Sequence, residues 1–186
     1  MANGTHTHEA EVEQVIIGCG GAKLDHAAPA RDLYTGQAFR LNLAAALALV
    51  DGDDGRVAIL SAKHGIVQLD EIIEPYDVTV GDAEAITPRE LRRSLAFRCV
   101  SGFRTALLLA NAYAELFEAA HLDDWDQRGM AIEATANLFV GSKGIGDQRG
   151  RASSARKGET TPADAMAAYE TTPRDPRPYE QLVRAA

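Results

Sequence analysis

The stretch from residue 57 to residue 77 reads VAILSAKHGIVQLDEIIEPYD, and the predicted fold is organised around it. Its first four residues are apolar and include two β-branched side chains, which is typical of a buried strand. Ser61, Lys63 and His64 follow directly where that strand ends. Because open α/β sheets bind ligands outside the carboxyl ends of their strands, these residues are the first candidates for a site.

Acidic side chains crowd the segment after His64. We expect one short loop here, in which Gly65 permits a sharp turn and Pro75 holds the chain extended. Glu71 is expected to be a solvated charge, and at least one of the other acids is expected to brace the turn by accepting backbone N–H bonds. The loop carries four carboxylates: Asp70, Glu71, Glu74 and Asp77.

Two further apolar segments predict strands of the same sheet. Residues 15–17 lead into a glycine-rich turn that ends at Lys23, and residues 104–109 lead into Asn111 and Tyr113. Helical spacing of apolar residues between the strands favours parallel pairing with crossover helices. The sequence therefore predicts a three-layer α/β domain with a mostly parallel sheet of four or five strands.

The glycine-rich turn after residue 17 is a candidate anion site. Backbone N–H groups at Gly20 and Gly21, with Lys23 beside them, can form a nest for phosphate. The turn matches neither the P-loop nor the dinucleotide pattern. Cys19 is either a nucleophile or, as is more common beside a buried strand, a small buried side chain.

Other candidate phosphate ligands come from a basic cluster and from a second glycine-rich segment. The cluster on the helix that follows the capping box Thr87–Glu90 includes Arg93. The second segment, residues 141–148, is predicted to be a flexible loop. Its candidate ligands are Lys143, Gly144, Gly146 and Gln148.

The predicted domain organisation has three parts. Residues 1–13 are expected to be a flexible N-terminus, and residues 14–150 the α/β domain. Residues 151–186 are rich in Ser, Thr, Pro, Ala and charge, which is typical of a disordered, mobile tail. One short helix is expected near residues 162–169.

Composition narrows the classes of function. The 186 residues carry a net charge of −8, which argues against strong non-specific nucleic-acid binding. No apolar run approaches the ~18 residues of a membrane helix, and residues 1–13 lack a signal-peptide pattern. Two cysteines form neither a disulfide framework nor a zinc pattern, so we expect a cytoplasmic protein with no metal and no cofactor.

Several motifs together resemble a known family. Residues 61–67, then Asp70 and residues 73–77, resemble the core motif of a family of uncharacterised bacterial and phage proteins. That family is similar to the YaaA peroxide-stress proteins and to the auxiliary domain of archaeal tRNA-guanine transglycosylase and archaeosine synthase. Further matches, in the same order, are Cys19–Lys23, Asp32–Tyr34 with Phe39, Ala110–Tyr113 and Gly144–Gln148.

The resemblance implies a YaaA-like fold with a uracil-glycosylase-like layout and a link to nucleobase chemistry or DNA protection. YaaA-like proteins carry a helix-hairpin-helix element, and we find no convincing sequence match to it here. Binding to a duplex would then depend on two arginine clusters. The first comprises Arg89, Arg92, Arg93, Arg98 and Arg104, and the second comprises Lys143, Arg149, Arg151, Arg156 and Lys157.

Two functions are consistent with these residues. The first is an enzyme that cleaves the N-glycosidic bond of a modified or damaged nucleobase, with DNA a more probable substrate than RNA. Its carboxylate would be Asp70, Glu74 or Asp77, and its neutral donor His64 or Asn111. Lys63 could instead attack C1′, Lys23 and Ser61 would lie near phosphate, and Tyr34, Tyr76 or Tyr113 would stack on the base.

The second function is a non-catalytic protein that binds nucleic acid or a nucleotide at the same edge. Simpler roles also stay open for single residues. His64 can satisfy backbone groups near the turn, Tyr76 can fill the core, and Asp32 can cap a helix.

Overall fold

The computed structural model describes residues 12–98, 104–122, 134–161 and 164. The strands are β1 Gln14–Gly18, β2 Ala28–Pro29, β3 Val57–Ser61, β4 Gly65–Gln68, β5 Ile72–Ile73, β6 Arg104–Leu108 and β7 Ala134–Asn137. The α-helices are α1 Ala30–Leu33, α2 Gln37–Leu49, α3 Pro88–Phe97, α4 Asn111–Leu122 and α5 Ile145–Arg156.

Five strands form the main sheet, in the order β4-β3-β1-β6-β7. β1 lies at the centre and pairs in parallel with β3 and β6, and β6 pairs in parallel with β7. β4 is antiparallel to β3, and β2 and β5 form a separate two-stranded ribbon. The predicted α/β class with a mostly parallel sheet is confirmed.

Helices cover both faces of the sheet, which gives the predicted three layers. Side chains of a strand point alternately to the two faces, so Val15 and Ile17 join a core with α2 and α5. Ile16 points the other way and joins a core with α3 and α4. Both cores are closed to water at β1, where residues 15–17 are all 0% exposed.

The strand order creates a crevice beside β1. The chain passes from β1 to β3 on one side, and later enters β6 on the other side of β1. In open α/β sheets such a reversal leaves a gap outside the carboxyl ends of the two strands, where ligands bind. The carboxyl ends of β1, β3 and β6 therefore form the edge at which a ligand site is expected.

Helix α3 begins at this edge and runs away from it. The predicted capping box is confirmed, because the Thr87 hydroxyl accepts the Glu90 N–H and the Glu90 carboxylate accepts the Thr87 N–H. The Ile86 N–H donates to the carbonyl of Ala62, just past β3, at 2.7 Å. At the other end of α3, Arg98 pairs with Glu71 at 2.9 Å.

The segment after His64 is not the single loop that was predicted. Residues 65–68 form β4, which pairs back along β3 from Ser61↔Gly65 to Ala58↔Gln68. This hairpin carries the chain from the carboxyl edge of the sheet to the opposite edge. The β5 ribbon follows it before the chain reaches Tyr76.

Two predicted boundaries are wrong for the same reason, namely burial that composition does not reveal. Residues 151–156, predicted as mobile tail, complete α5 and bury Ala152 and Ala155 against the core that contains α2. Val12, predicted as flexible, is 0% exposed. Residues 1–11, the rest of the tail beyond Asp164 and most of the helix predicted near 162–169 lie outside the described residues.

None of the described helices combines the length and apolar character that crossing a membrane requires.

Candidate functional site

Five side chains meet at the carboxyl edge of the sheet. The Cys19 thiol, just after β1, lies 3.1 Å from the Tyr113 hydroxyl in the first turn of α4. The Tyr76 hydroxyl lies 2.8 Å from both the Tyr34 hydroxyl and Ser61 Oγ. We call this set the rim cluster: Cys19, Tyr34, Ser61, Tyr76 and Tyr113.

Ser61 gives the hydroxyl chain of the rim cluster its direction. Its Oγ accepts the N–H groups of Lys63 at 3.2 Å and His64 at 3.0 Å. A serine oxygen has two lone pairs, so its own proton is directed to Tyr76, which then donates to Tyr34. The turn after β3 and the two tyrosines are therefore held by one hydrogen-bond chain.

Three polar side chains surround the ring of Tyr76. The Lys23 ammonium lies 4.3 Å from the ring centroid, and the Lys63 ammonium lies 5.9 Å from it. The His64 ring meets the Tyr76 ring edge-on, with 5.1 Å between centroids. Cation–π attraction of this kind is worth about 0.5–2 kcal/mol and orders the lysines at the edge.

The three phenols of the rim cluster stay protonated at neutral pH. Burial, with the nearby Cys19 adding to it, raises the pKa of Tyr34 to about 12. Burial, again followed by Cys19, also raises the pKa of Tyr76 and of Tyr113 well above the ordinary tyrosine value. These groups therefore act as hydrogen-bond donors rather than as bases.

The surroundings of His64 favour its neutral imidazole form. Partial burial, and then the Lys63 ammonium, lower the pKa of His64 below its usual 6.5, and Glu71 opposes this weakly. A neutral imidazole carries one N–H donor and one acceptor. It can therefore donate to a departing group or accept a proton from water.

We expect proton NMR to place the titration midpoint of His64 below 6.5, because the charged form is disfavoured in the fold. Between the two pKa values the unfolded chain takes up a proton at His64 and the folded chain does not, so stability falls as pH drops below about 6.5. The His64→Gln variant assigns the resonance. Lys63→Met should raise the midpoint, and a wild-type midpoint at or above 6.5 would contradict the interpretation.

The structure separates the four carboxylates into two pairs. Glu74 and Asp77 flank Pro75 and Tyr76 in the chain, and both are exposed. Asp70 and Glu71 come after the far end of β4, and Glu71 is paired with Arg98. Asp70 is therefore not brought to the rim cluster, and the expectation that all four acids share one loop is wrong.

Asn111, the other predicted donor, opens α4 and is exposed. It lies two residues before Tyr113, so it stands on the same edge as the rim cluster. Arg93 is exposed on α3, whose Leu91 and Leu95 are buried in the core on that face of the sheet.

The glycine turn after β1 does not have the form of an anion nest. Neither Gly20 nor Gly21 has a positive φ, which the right-handed to left-handed form of a nest requires. A Cβ on Gly20 would lie 3.3 Å from the Cβ of Phe39, so this glycine permits close packing. Gly21 is exposed, and its carbonyl accepts from Lys23 Nζ at 3.3 Å.

The second glycine segment is shorter than predicted. α5 starts at Ile145, so Gly146 and Gln148 are helical, and only residues 141–144 precede the helix. Gln148 donates to Ser142 Oγ at 3.1 Å, and the Lys143 N–H donates to Asp147 at 3.1 Å. β7 lies two strands away from β1 in the sheet. This segment, including Gly144, is therefore about 10 Å away from the end of β1.

Two of the three tyrosines are not placed to stack on a base in this structure. Tyr34 is 1% exposed, so neither face of its ring is open. Tyr76 is half-buried, and its ring is surrounded by Lys23, Lys63 and His64. Tyr113 is half-buried beside Cys19, and its stacking role stays a prediction.

No group of three or more His, Cys, Asp or Glu side chains within the described residues is placed to hold a metal ion.

Sequence reasoning missed the partnerships of the rim cluster. Tyr34 and Tyr76 are 42 residues apart, and Cys19 and Tyr113 are 94 apart. Asn137 was also missed; its amide exchanges hydrogen bonds with the backbone of Leu109 and so braces the end of β6. Only the general expectation that parallel strands end at one edge pointed to these contacts.

Replacing Ser61 by alanine should lower the free energy of unfolding by about 2–4 kcal/mol, because it removes one buried partner from two amides and a phenol. Tyr76→Phe, which spares the amides, should cost less. A double-mutant cycle by chemical denaturation should give a coupling of about 1 kcal/mol. Additive effects would show that the Ser61–Tyr76 bond contributes nothing to stability.

Comparison with known proteins assigns the chain to a family. The profile described as "Family of unknown function (DUF6884)" matches residues 15–117. This span runs from β1 into α4 and includes all five residues of the rim cluster. No curated protein and no solved structure gives a significant match. Since the profile covers more than half of the 186 residues, the chain belongs to the family of unknown function DUF6884.

Proposed function

We propose that this protein is an enzyme that cleaves the N-glycosidic bond of a modified or damaged nucleobase. The observation that carries the proposal is the contact between His64 and Tyr76. It sets a neutral imidazole beside the segment that bears Glu74 and Asp77. A neutral donor and a carboxylate at a crevice are the two groups that this reaction needs.

The reaction divides between these groups. As the bond between C1′ and the base breaks, positive charge builds on the sugar and negative charge on the base. Asp77 or Glu74 would stabilise the sugar cation and orient water, whose oxygen bonds to C1′. The imidazole N–H of His64 would donate to the departing base, which finally takes up a proton from water.

The hydroxyl chain supports the proposal, because it holds the turn that carries His64 close to the segment that carries the two acids. Ser61 binds the amides of residues 63 and 64, and its contact with Tyr76 links that turn to the chain between Glu74 and Asp77. Preorganised donors are effective because they need no rearrangement as charge develops. The finer fold assignment, YaaA-like with a uracil-glycosylase-like layout, is part of this proposal and rests on the motif of residues 61–77.

The test is base release. The purified protein is incubated with genomic DNA from several sources, including phages with hypermodified bases, and with the same DNA digested to mononucleotides. Mass spectrometry then detects freed bases and abasic sugars. We expect release by the wild type and none by a His64→Ala, Asp77→Asn double variant, which controls for contaminating enzymes.

Absence of release from every substrate would contradict the enzyme proposal. If salt-sensitive binding persisted in that case, the second function, a non-catalytic nucleic-acid or nucleotide-binding protein, would replace it.

A further inference from the structure

Several cationic side chains among the described residues are engaged in contacts within the protein. Arg56 donates to the carbonyls of Val12 and Glu13, and other cations pair with carboxylates. These ion pairs are Arg31–Asp54, Arg98–Glu71, Arg151–Asp147 and Lys157–Glu159. Both arginine clusters that were candidate phosphate ligands therefore lose members to internal contacts.

Lys23 and Lys63 differ from these groups because they converge on the rim cluster. Both ammonium groups flank the Tyr76 ring, at 4.3 and 5.9 Å from its centroid. Lys23 donates one bond, to the carbonyl of Gly21, and an ammonium has three protons to donate. The two lysines thus present a local double positive charge to anything bound beside Tyr76.

Acidic residues lie close in the chain to Tyr76 and to Lys23. Glu74 and Asp77, on either side of Tyr76, are exposed, and so is Asp25, two residues after Lys23. A single phosphate between the lysines would be attracted, whereas phosphates further along a strand would meet carboxylates. Like charges brought together in this way suppress a wrong partner, and the net charge of −8 acts in the same direction.

We propose that the ligand of this site is a free nucleoside monophosphate, whose one phosphate is bound by Lys23 and Lys63, and not a nucleic-acid polymer. The inference rests on the proposed function and narrows its substrate class from DNA to the nucleotide. The base would lie toward His64, and the sugar near Asp77 and Glu74.

Calorimetric titration in phosphate-free buffer tests this inference. The probes are deoxynucleosides, their 5′- and 3′-monophosphates, and a single-stranded oligonucleotide of the same bases. A monophosphate should bind about tenfold or more tightly than its nucleoside, since charge-assisted hydrogen bonds to the phosphate are gained. The oligonucleotide should bind no more tightly than the monophosphate.

The variants Lys23→Met and Lys63→Met keep the length of the side chain and should each remove most of the preference for the monophosphate. Lys157→Met, at the end of α5, should leave it unchanged. Equal affinity for nucleoside and monophosphate, no binding of either, or tighter and steeply salt-dependent binding of the oligonucleotide would each overturn the inference.

The two experiments distinguish a failure of this inference from a failure of the proposed function. Monophosphate binding that depends on the lysines, without base release, would refute the enzyme and keep the ligand. Base release from intact DNA but not from mononucleotides would support the enzyme and refute the nucleoside monophosphate as its ligand.

Discussion

Replacing Gly65 by alanine is expected to lower the free energy of unfolding by about 2–5 kcal/mol, the sum of a backbone and a packing cost. Gly65 has a φ of +72°, which residues with a Cβ adopt at a cost. The added Cβ would also lie 2.7 Å from Ile86 Cδ1 and 2.9 Å from Ser94 Oγ. The side chains of Ile86 and Ser94, or the helix α3 that carries Ser94, would have to shift away from the β3–β4 hairpin.

Gly52→Ala separates the two costs. Gly52 has a φ of +82°, but nothing lies within 4 Å of the position of its Cβ. This variant should therefore show only the backbone cost of about 1–2 kcal/mol. Chemical denaturation of both variants measures the difference, and equal losses would show that Ile86 and Ser94 accommodate the methyl group.

The second large effect is on catalysis. His64→Ala and Asp77→Asn should each lower the rate of base release by about 10²–10⁴-fold, which is the usual contribution of a positioned acid or base. His64 would lose the donor to the departing base, and Asp77 the charge that stabilises the sugar cation. Single-turnover rates with the substrate found by mass spectrometry provide the measurement.

Asp70→Asn is the matched control for Asp77→Asn. It is the same chemical change in the same segment, but at the edge of the sheet opposite the rim cluster. The rate should stay within about twofold of the wild type, a change worth roughly 0.4 kcal/mol. A large loss in Asp70→Asn with none in Asp77→Asn would overturn the assignment, and Glu74→Gln would show which acid beside Tyr76 matters more.

The sequence predicted the edge of the sheet at which the site lies, but not which side chains contact each other there. Apolar runs ending at residues 17, 60 and 109 indicated parallel strands, and parallel strands bring their carboxyl ends together. Lys23, Ser61, His64 and Tyr113 do lie on that edge. The hydroxyl chain between Tyr34, Tyr76 and Ser61 had no local signal, because it joins segments far apart in sequence.

Two errors show how packing overrides local pattern. Residues 65–68 begin with a glycine and were therefore predicted as part of a turn, yet pairing with β3 makes them β4 and carries Asp70 away from the site. Residues 151–156 resemble a polar tail in composition. They are helical because Ala152 and Ala155 are small enough to lie buried in the core with α2.

The sequence by itself determined the α/β class, the central strands, the capped start of α3 and the edge at which polar residues collect. These features follow from short-range causes: the period of apolar residues, capping side chains and the geometry of parallel strands. The tertiary structure alone decided that β4 carries Asp70 away from the rim cluster, that burial keeps the phenols protonated, and that Lys23 and Lys63 converge on Tyr76. These depend on burial and on distances between segments remote in sequence, which local pattern does not encode.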